Sequence, residues 1–310
     1  MVTLSRPVTV PRIAVLMATY NGAEFLSDQM TSLLWQSGVD IHIFARDDGS
    51  TDETPGLLEK FAASFPGKVT VLSNGLGRAG SAAANFFHLM RGPDLSSFEF
   101  VAFADQDDVW LPDKLQQAMN GLRSSGAHGY SSNLIAYDAA SNSCGIVDKA
   151  QAQRRWDYLF QGASAGCTYV ITARAFGMVR SAIERLEAPP MTLSHDWTIY
   201  AICRSHGLDW RHDQGARIVY RQHASNAYGA LLGLAGLRAR LGMMRSGWYR
   251  RHVLWLKHVL AMGAFERQVI ERLSKFGPMD RLWLAAHAHA FRRRGRDRIL
   301  LGLAFLTGTV

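Results

Sequence analysis

Two adjacent carboxylates, Asp47 and Asp48, are the first residues along the chain whose type and position favour ligand binding. They follow a short apolar run and precede a glycine. Carboxylates in this position can accept a hydrogen bond from the N–H of a pyrimidine ring or bind the hydroxyl groups of a ribose. The same residues also fit a turn before a helix, because Ser50 and Glu53 have the spacing of a capping box. The pair alone leaves nucleotide binding and a structural turn equally open.

A second acidic cluster consists of Asp105, Asp107 and Asp108 and comes directly after an apolar run. Carboxylates this close together repel one another unless a cation lies among them. Hard divalent cations prefer oxygen ligands, so we expect Asp105 and Asp107 to bind Mg²⁺ or Mn²⁺ together with diphosphate oxygens. The alternative is an acidic cluster at the N-terminus of a helix, which needs no metal.

Two histidines extend this set of candidate residues. His195 precedes Asp196, and the pair fits either a base with its partner or the start of a helix that Ser194 or Asp196 caps. His223 follows a short apolar strand, where a lone histidine is more often structural. Because the second acidic cluster already predicts a metal site, His223 becomes a candidate for its third ligand.

The elements that must position these residues alternate between strand and helix over the first 140 residues. Continuous apolar runs predict strands buried on both faces, over residues 13–18, 41–45, 69–72 and 98–104. Apolar residues at helical spacing follow each run, for example over residues 82–90. This pattern predicts an α/β fold, a mostly parallel sheet with helices on both faces. In such a sheet ligands bind beyond the carboxyl ends of the strands, where the acidic clusters lie.

The second half of the chain has a different rhythm. Short strands are predicted over residues 133–137, 168–172 and 218–220, and only helices are predicted further on, over residues 231–244, 248–264, 266–276 and 279–291. We place a boundary near Gly229. It divides the chain into an α/β domain over residues 1–228 and a helical extension over residues 229–310.

Charge separates the same two regions. The 310 residues carry a net charge of +8, but residues 1–230 have 19 Lys and Arg against 22 Asp and Glu, whereas residues 231–310 have 15 against 4. A basic region of this kind calls for an anionic partner or surface. Since arginines alternate with Trp and Leu on the predicted helices, an anionic membrane surface is expected. The alternative is helices that only pack on the α/β domain. Nucleic acid would explain the charge but none of the acidic clusters, so no nucleic-acid partner is expected.

Composition narrows the protein class. With 48% hydrophobic and 19% charged residues, the chain is neither disordered nor fibrous. The three cysteines form no CxxC pair or disulfide framework, so we expect them buried and reduced. No signal-peptide pattern and no apolar run of roughly 18 to 20 residues is present, which favours a cytoplasmic protein, peripheral at most on the inner face of the cell membrane.

One motif favours a different function. Gly75, Gly77 and Gly80 match the G-x-G-x-x-G pattern of dinucleotide-binding proteins, between a predicted strand and a predicted helix. The motif lies in the third strand–helix unit, however, and no acidic residue is well placed about 20 residues further on. An NAD(P)-dependent oxidoreductase would also leave both acidic clusters without a role. It is kept as an alternative, together with a non-catalytic basic nucleic-acid-binding protein.

Taken together, the ordered motifs resemble glycosyltransferase family 2 enzymes with the GT-A fold, and most of all the bacterial rhamnosyltransferase-like branch. The resemblance covers roughly residues 10–228. Its motifs are ATYNG at 18–22, DDGSTD at 47–52, DQDDVW at 105–110, GCT at 166–168, HDW at 195–197 and YRQH at 220–223.

The resemblance implies roles for individual residues. The nucleotide side would consist of Ala18, Tyr20, Asp47, Asp48 and Asp105, with Arg78 as the basic contact of the diphosphate. The metal ligands would be Asp105, Asp107 and His223. The catalytic base would be Asp196, with His195 where many members have Glu, and the acceptor-side loop over residues 162–168 would contribute Gly166 and Cys167, with Trp197 beside it.

The resemblance also implies a reaction. A sugar would pass with inversion from a nucleotide-diphospho-sugar, such as dTDP-rhamnose or a UDP-sugar, to a hydroxyl of a saccharide or lipid-linked saccharide acceptor. A sugar hydroxyl is a poor nucleophile, so Asp196 would take its proton as it attacks. A divalent metal would stabilise the charge on the leaving nucleotide diphosphate. The product would be part of a surface polysaccharide.

Overall fold

The apolar runs of the sequence form one sheet. The computed structural model describes residues 10–73, 75, 77–139, 141–186, 193–223, 242 and 246–310, and nine strands within these residues belong to a single sheet. They are β1 Arg12–Thr19, β2 Asp40–Asp47, β3 Val69–Val71, β4 Phe100–Ala104, β5 Val109–Trp110, β6 Gly129–Asp138, β7 Ser143–Val147, β8 Val170–Thr172 and β9 Trp210–Gln222. Their order is β3-β2-β1-β4-β8-β6-β9-β5, with β7 paired to β6. The predicted α/β class is confirmed.

Strands β1 to β4 form a parallel half, as the sequence predicts. β1 pairs with β2 and β4, and β2 pairs with β3. Residues 13–17 are completely buried between hydrophobic clusters on the two faces, which is why β1 is a continuous apolar run. The register places Thr19 opposite Asp47 and Met17 opposite Ala104, so the segments that follow these strands meet at one edge of the sheet.

The other half of the sheet is mixed. β8 pairs antiparallel with β4 and β6, whereas β6 pairs parallel with β9. β6 and β9 extend well beyond the strands predicted over residues 133–137 and 218–220. The exposed strand β7 was not predicted, because it has no apolar pattern. Antiparallel pairs at β5, β7 and β8 are thus added to the predicted parallel sheet.

Helices cover both faces of this sheet. Ser81, Thr172 and Ser194 each cap a helix by accepting a backbone N–H with the side-chain oxygen, which fixes where α3, α5 and α6 begin. α5 was not predicted. The helices are α1 Ala23–Leu34, α2 Thr54–Ser64, α3 Ala82–Arg91, α4 Lys114–Ser125, α5 Ala173–Glu184 and α6 His195–Ser205.

The capping box predicted before α2 is wrong. α2 begins at Thr54, and its N-cap residue Glu53 makes no side-chain cap hydrogen bond. The Ser50 hydroxyl donates to Asp47 instead, and Asp52 accepts the N–H of Thr54 at 3.0 Å. Ser50 bonds to Asp47 because an ionised carboxylate is a stronger acceptor than a neutral group.

The C-terminal part of the chain is helical, although its boundaries differ from the prediction. The single helix predicted over residues 248–264 is wrong, since a turn over residues 257–263 separates two helices, and the one predicted over residues 279–291 is divided at His287. The predicted helix over residues 231–244 lies outside the described residues apart from Gly242, and so does the boundary near Gly229. The observed helices are α7 Trp248–Leu256, α8 Ala264–Lys275, α9 Pro278–Ala286, α10 Ala288–Phe291 and α11 Gly295–Thr307.

These C-terminal helices share a hydrophobic core with the α/β part. Val253 and Leu256 of α7 belong to the same buried cluster as the apolar residues of α3 and α6. The ring of Phe160 lies 4.7 Å from that of Phe291 and 5.3 Å from that of Phe305. Among the described helices, none combines the length and the apolar character that crossing a bilayer requires.

The cysteines depart from the prediction at one position. Cys167 and Cys203 are buried and free, as expected. Cys144 is also free but exposed, because it lies on the solvated strand β7.

Candidate active site

The first acidic pair is held by the protein itself. Asp47 accepts hydrogen bonds from the N–H groups of Gly49 and Ser50, at 3.0 and 2.8 Å, and from the hydroxyl groups of Thr19 and Ser50. A carboxylate has about four acceptor positions, so these donors saturate it. Asp47 therefore fixes the loop that follows β2.

Asp48 is buried beside a cation. Its carboxylate lies 3.3 Å from Nη1 of Arg46 and accepts the N–H groups of Ala79 and Gly80. Arg46 in turn donates to the side-chain oxygen of Asn85 at 2.7 Å. Charged groups can be buried when they are paired and hydrogen-bonded in this way.

This arrangement explains the glycine motif. The N–H of Gly80 points to the carboxylate of Asp48, and Gly77 offers its carbonyl to Arg46 at 2.5 Å. The loop thus wraps a pair of protein charges, and α3 starts only after it, capped by Ser81. A dinucleotide-binding loop would instead direct these N–H groups at a pyrophosphate.

Tyr20 and Arg78 lie next to this pair and are open to solvent. The guanidinium of Arg78 stacks over the Tyr20 ring, 4.7 Å from its centroid, and its Nε donates to the backbone carbonyl of Asp48 at 3.1 Å. Ala18 precedes them near the end of β1 and is buried. The predicted nucleotide-side residues therefore lie together.

The carboxylates of the second acidic cluster act on one another. Burial, followed by the charges of Asp107 and Asp196, raises the pKa of Asp105 to about 7. The geometry agrees, because Asp105 is grouped with Cys167, and a Cβ atom on the adjacent Gly166 would lie 3.2 Å from Cβ of Asp196. His223 Nε2 lies 3.0 Å from a carboxylate oxygen of Asp107, and the His223 ring stacks on Phe25. The structure thus brings two of the three predicted metal ligands, Asp107 and His223, into contact. Among the described residues Asp105 instead shares a group of ligand atoms within 4.8 Å with Asp108 and Cys167.

Asp108, the third carboxylate of the second cluster, has two neighbours that the sequence did not predict. It is completely buried, and among the described residues no donor in good geometry reaches its carboxylate. Asp105, Asp108 and Cys167 offer atoms within 4.8 Å of one another. The ammonium of Lys114 is also buried nearby, 3.4 Å from the centroid of the Trp110 ring, and burial lowers the pKa of Lys114 to about 7.

The Asp108 surroundings could not be read from the sequence. The residues concerned come from the segment after β4, the start of α4 and the turn before β8. The one available signal was a lysine six positions after Asp108, next to apolar residues. Cys167, predicted to face the acceptor, lies against Asp108 and Asp105 instead.

His195 and Asp196 begin α6. Ser194 caps the helix and also donates its hydroxyl hydrogen to Asp196, which in addition accepts the N–H of Trp197 at 2.7 Å. His195 is stacked on Phe86 at 4.0 Å, and burial lowers its pKa. The predicted helix start is therefore confirmed.

Gly166 is required by the His195 side chain. A Cβ atom at Gly166 would lie 2.7 Å from Nε2 of His195 and 3.2 Å from Cβ of Asp196. Such contacts are too short, so the acceptor-side loop can approach the start of α6 only with a glycine here. Trp197 is buried against the other end of this loop, since a Cβ atom on Gly162 would lie 3.4 Å from its Cα, and its ring stacks on His252 of α7 at 4.0 Å.

A buried network that the sequence did not reveal ties the C-terminal helices to the same loop. Arg293, between α10 and α11, donates to the carbonyls of Gly162 and Ala163 at 2.9 and 2.6 Å. The completely buried Asp157 lies 3.6 Å from Arg293 and accepts the Tyr200 hydroxyl at 2.8 Å. The only sequence signal was the run of three arginines over residues 292–294.

Comparison with known proteins now assigns the family. Residues 14–186 match Glycosyl transferase family 2. The chain is also 36% identical over 291 residues to the dTDP-rhamnosyl transferase RfbG of Shigella flexneri, which covers 94% of this chain and 99% of that protein. The chain belongs to glycosyltransferase family 2. The predicted family is confirmed. Membership of a glycosyltransferase family rules against both alternatives, the NAD(P)-dependent oxidoreductase and the non-catalytic nucleic-acid-binding protein.

Other relatives share shorter stretches or the fold alone. The UDP-Glc:alpha-D-GlcNAc-diphosphoundecaprenol beta-1,3-glucosyltransferase WfgD of Escherichia coli is 25% identical over 52% of this chain and 60% of that protein. The crystal structure of S. aureus TarS 1-349 in complex with UDP-GlcNAc superposes on this chain with a TM-score of 0.59 at 14% sequence identity. The comparison covers 96% of this chain and 89% of that one. The mannosyltransferase PcManGT from Pyrobaculum calidifontis, solved with GDP-Man and Mn²⁺, gives 0.53 at 18% identity, over 98% and 87%. The fold of this family 2 enzyme is GT-A.

Proposed function

We propose that this family 2 enzyme transfers a sugar, in the first instance rhamnose from dTDP-rhamnose, to a hydroxyl group of a saccharide acceptor during polysaccharide synthesis. The likeness to a dTDP-rhamnosyl transferase along nearly the whole of both chains supports the donor. The observation that carries the reaction is the position of Asp105 near both Asp107 and Asp196: it is grouped with Cys167, whose neighbour Gly166 contacts Asp196, and the charges of Asp107 and Asp196 act on it. Groups suited to a leaving diphosphate and to an attacking hydroxyl thus lie side by side.

We further propose that Asp105, Asp107 and His223 hold Mg²⁺ or Mn²⁺. The residues offer the oxygen and imidazole ligands that a divalent cation takes, since His223 lies 3.0 Å from Asp107 and the charge of Asp107 acts on Asp105. When bound, the metal supplies positive charge to the diphosphate of the donor as the sugar leaves. Since Asp108 and Cys167 are wholly buried behind Asp105, they would support the ligands rather than contact the donor.

Asp196 is proposed as the general base of an inverting transfer. Its carboxylate lies at the start of α6, where the two hydrogen bonds from Ser194 and Trp197 fix its orientation. One carboxylate oxygen accepts both bonds, which leaves the other to take the proton of the acceptor hydroxyl. His195, stacked on Phe86, would position this segment against Gly166.

On the donor side, Tyr20 and Arg78 are proposed to contact the nucleotide. Tyr20 is 43% exposed and offers a ring face for a base, and Arg78 offers a guanidinium for phosphate oxygens. Asp47, Asp48 and Ala18 would shape the same pocket. On the acceptor side we propose the loop over residues 162–168, with Gly166 facing the acceptor and Cys167 and Trp197 supporting the loop from behind.

A lipid-linked saccharide is the proposed acceptor, and the enzyme is proposed to work at the cytoplasmic face of the cell membrane. The relative WfgD is named for transfer to a sugar on diphosphoundecaprenol, which supports a lipid-linked acceptor. We propose residues 1–228 as the catalytic domain and residues 229–310 as a basic extension that brings it to anionic lipid.

The function is tested by incubating purified full-length protein with single nucleotide sugars and Mn²⁺ and measuring release of nucleoside diphosphate. We expect dTDP-rhamnose to be hydrolysed slowly without acceptor and used faster with a lipid-linked oligosaccharide, and EDTA to stop both. Turnover of a UDP-sugar alone would replace the proposed donor. Failure of all nucleotide sugars under these conditions would contradict the proposal.

A further inference from the structure

The last helix of the chain has an apolar outer face. α11 buries Leu301, Ala304 and Phe305 against the rest of the molecule. On its other side Ile299, Leu303 and Leu306, spaced at i, i+4 and i+7, are 67%, 53% and 49% exposed. An ordinary surface helix carries polar residues at such positions.

The neighbouring helix α9 extends this surface. Its Met279 and Leu282 are 73% and 54% exposed. The two helices pack closely, since a Cβ atom on Gly302 of α11 would lie 3.7 Å from the carbonyl oxygen of Ala285. A shallow cavity of about 350 Å³ between them is lined by Ala286, Ile299, Leu303 and Leu306, among others. The exposed residues of both helices thus form one apolar surface, which we call the α9–α11 face.

Positive charge borders the α9–α11 face. Arg292, Arg294, Arg296 and Arg298 lie just before or within the first turn of α11, and Arg298 also lines the cavity. Arg294 is paired with Asp148 at 3.5 Å and Arg296 with Asp297 at 3.4 Å, so the run keeps a net positive charge. Over residues 246–310 the sequence has 12 Lys and Arg against 4 Asp and Glu. An apolar helix face bordered by arginines is the pattern of a helix that lies in the interface of an anionic bilayer.

We propose that the α9–α11 face docks on the surface of an anionic membrane, with Ile299, Leu303 and Leu306 entering the boundary between headgroups and acyl chains. A second copy of the chain fits the face less well. In a symmetric dimer the same patch meets itself, which would bring the arginines of two protomers together. The purpose of this docking rests on the proposed function, because the enzyme would encounter a lipid-linked acceptor at the membrane surface.

The docked face would be connected to the active site by direct contacts. Arg293, two residues before α11, holds the carbonyls of Gly162 and Ala163. Gly166, in the same loop, contacts the start of α6 at His195. Docking would therefore set the position of the acceptor-side loop relative to the bilayer.

The test is flotation of the full-length protein with vesicles of phosphatidylcholine alone and of phosphatidylcholine with phosphatidylglycerol. We compare the wild type with a double variant, Ile299→Glu plus Leu303→Glu. The matched control is Ile146→Glu, which changes an apolar residue of similar exposure (63%) on strand β7, outside the α9–α11 face. Thermal unfolding of all three checks that each is folded.

We expect the wild type and Ile146→Glu to float with anionic vesicles only. The double variant should bind the vesicles at least roughly tenfold more weakly, because it lacks the two apolar side chains that would enter the bilayer and carries two additional negative charges. Equal vesicle binding of the folded double variant would overturn the proposal. The proposal would also be overturned if the wild type did not bind vesicles and instead formed a dimer that the double substitution dissociates. Release of dTDP from dTDP-rhamnose in detergent-free solution should be the same in all three proteins. If that release is absent while docking is observed, the proposed function fails and the docking surface stands.

Discussion

Two acidic clusters lie at the same edge of one sheet, yet the protein treats them in opposite ways. Asp47 accepts four hydrogen bonds from its own loop and from Thr19, and Asp48 is paired with Arg46 and two backbone N–H groups. In the second cluster burial, followed by the charges of neighbouring carboxylates, raises the pKa of Asp105 and of Asp108. The first cluster is balanced by its own loop and Arg46, whereas among the described residues no donor in good geometry reaches the buried carboxylate of Asp108.

This difference shows where a ligand contributes most. A buried charge that the fold pairs and hydrogen-bonds is tolerated, and removing its partner is strongly destabilising. Charges that the fold leaves in excess raise its free energy until a cation or a proton neutralises them. We therefore propose the second cluster as the metal site and the first as a rigid wall for the nucleotide.

The largest expected effect concerns Asp196, which lies beside the second cluster but is not one of the proposed metal ligands. Asp196→Asn keeps the shape of the side chain but removes the proton acceptor. We expect turnover to fall by roughly 10² to 10⁴, with dTDP affinity unchanged in the presence of Mn²⁺. Single-turnover transfer assays beside calorimetric titrations measure both quantities. If the folded variant transfers sugar at a near-normal rate, Asp196 is not the base.

A second prediction compares stability between the clusters. Asp48→Asn leaves Arg46 buried without its counter-charge, so we expect about 3 to 5 kcal/mol of unfolding free energy to be lost. Asp107→Asn removes one of several like charges, and without metal it should leave stability equal or slightly higher. Urea unfolding of both variants in EDTA provides the values. Similar losses in the two variants would show that the clusters do not differ as described.

The third prediction concerns pH and the pKa of Asp105. A carboxylate whose pKa rises from 3.8 to about 7 on folding binds its proton more tightly in the native state. Its contribution to stability is therefore full below about pH 4 and is lost as the pH rises to about 7, with a slope of up to about 1.4 kcal/mol per pH unit.

Asp105→Asn should remove that slope. In EDTA we expect the variant and the wild type to differ little near pH 4 and the variant to be more stable at pH 7.5, by about 1 kcal/mol or more. Saturating Mn²⁺ should reverse the order by stabilising the wild type alone. Parallel pH profiles of the two proteins in EDTA would contradict this.

Much of the frame was predictable from the sequence because apolar runs mark buried parallel strands. The run at residues 13–17 became β1, and the acidic motifs fell at the strand ends, as the parallel pattern requires. The family motifs then gave the residues of both clusters. Short-range patterns of this kind need no knowledge of the tertiary fold.

What could not be predicted depends on contacts between distant segments. Ser50 fits a helix cap by spacing, but it bonds to the carboxylate of Asp47. Lys114 appears in the sequence as a surface residue of a helix and is in fact buried against Trp110. Arg293 resembles its half-buried neighbours in the arginine run, yet it is buried on the acceptor-side loop. In each case the partner lies elsewhere in the fold or the choice between partners depends on burial.

The most direct test of the difference between the clusters is calorimetric titration of dTDP into wild-type protein and Asp107→Asn, each with Mn²⁺ and with EDTA. We expect Mn²⁺ to tighten dTDP binding by roughly tenfold or more in the wild type and to have no effect in the variant, while the two proteins bind dTDP equally in EDTA. That result would place the metal at the second cluster and leave the nucleotide wall intact. Metal-dependent dTDP binding that is unchanged in folded Asp107→Asn would contradict the proposed site.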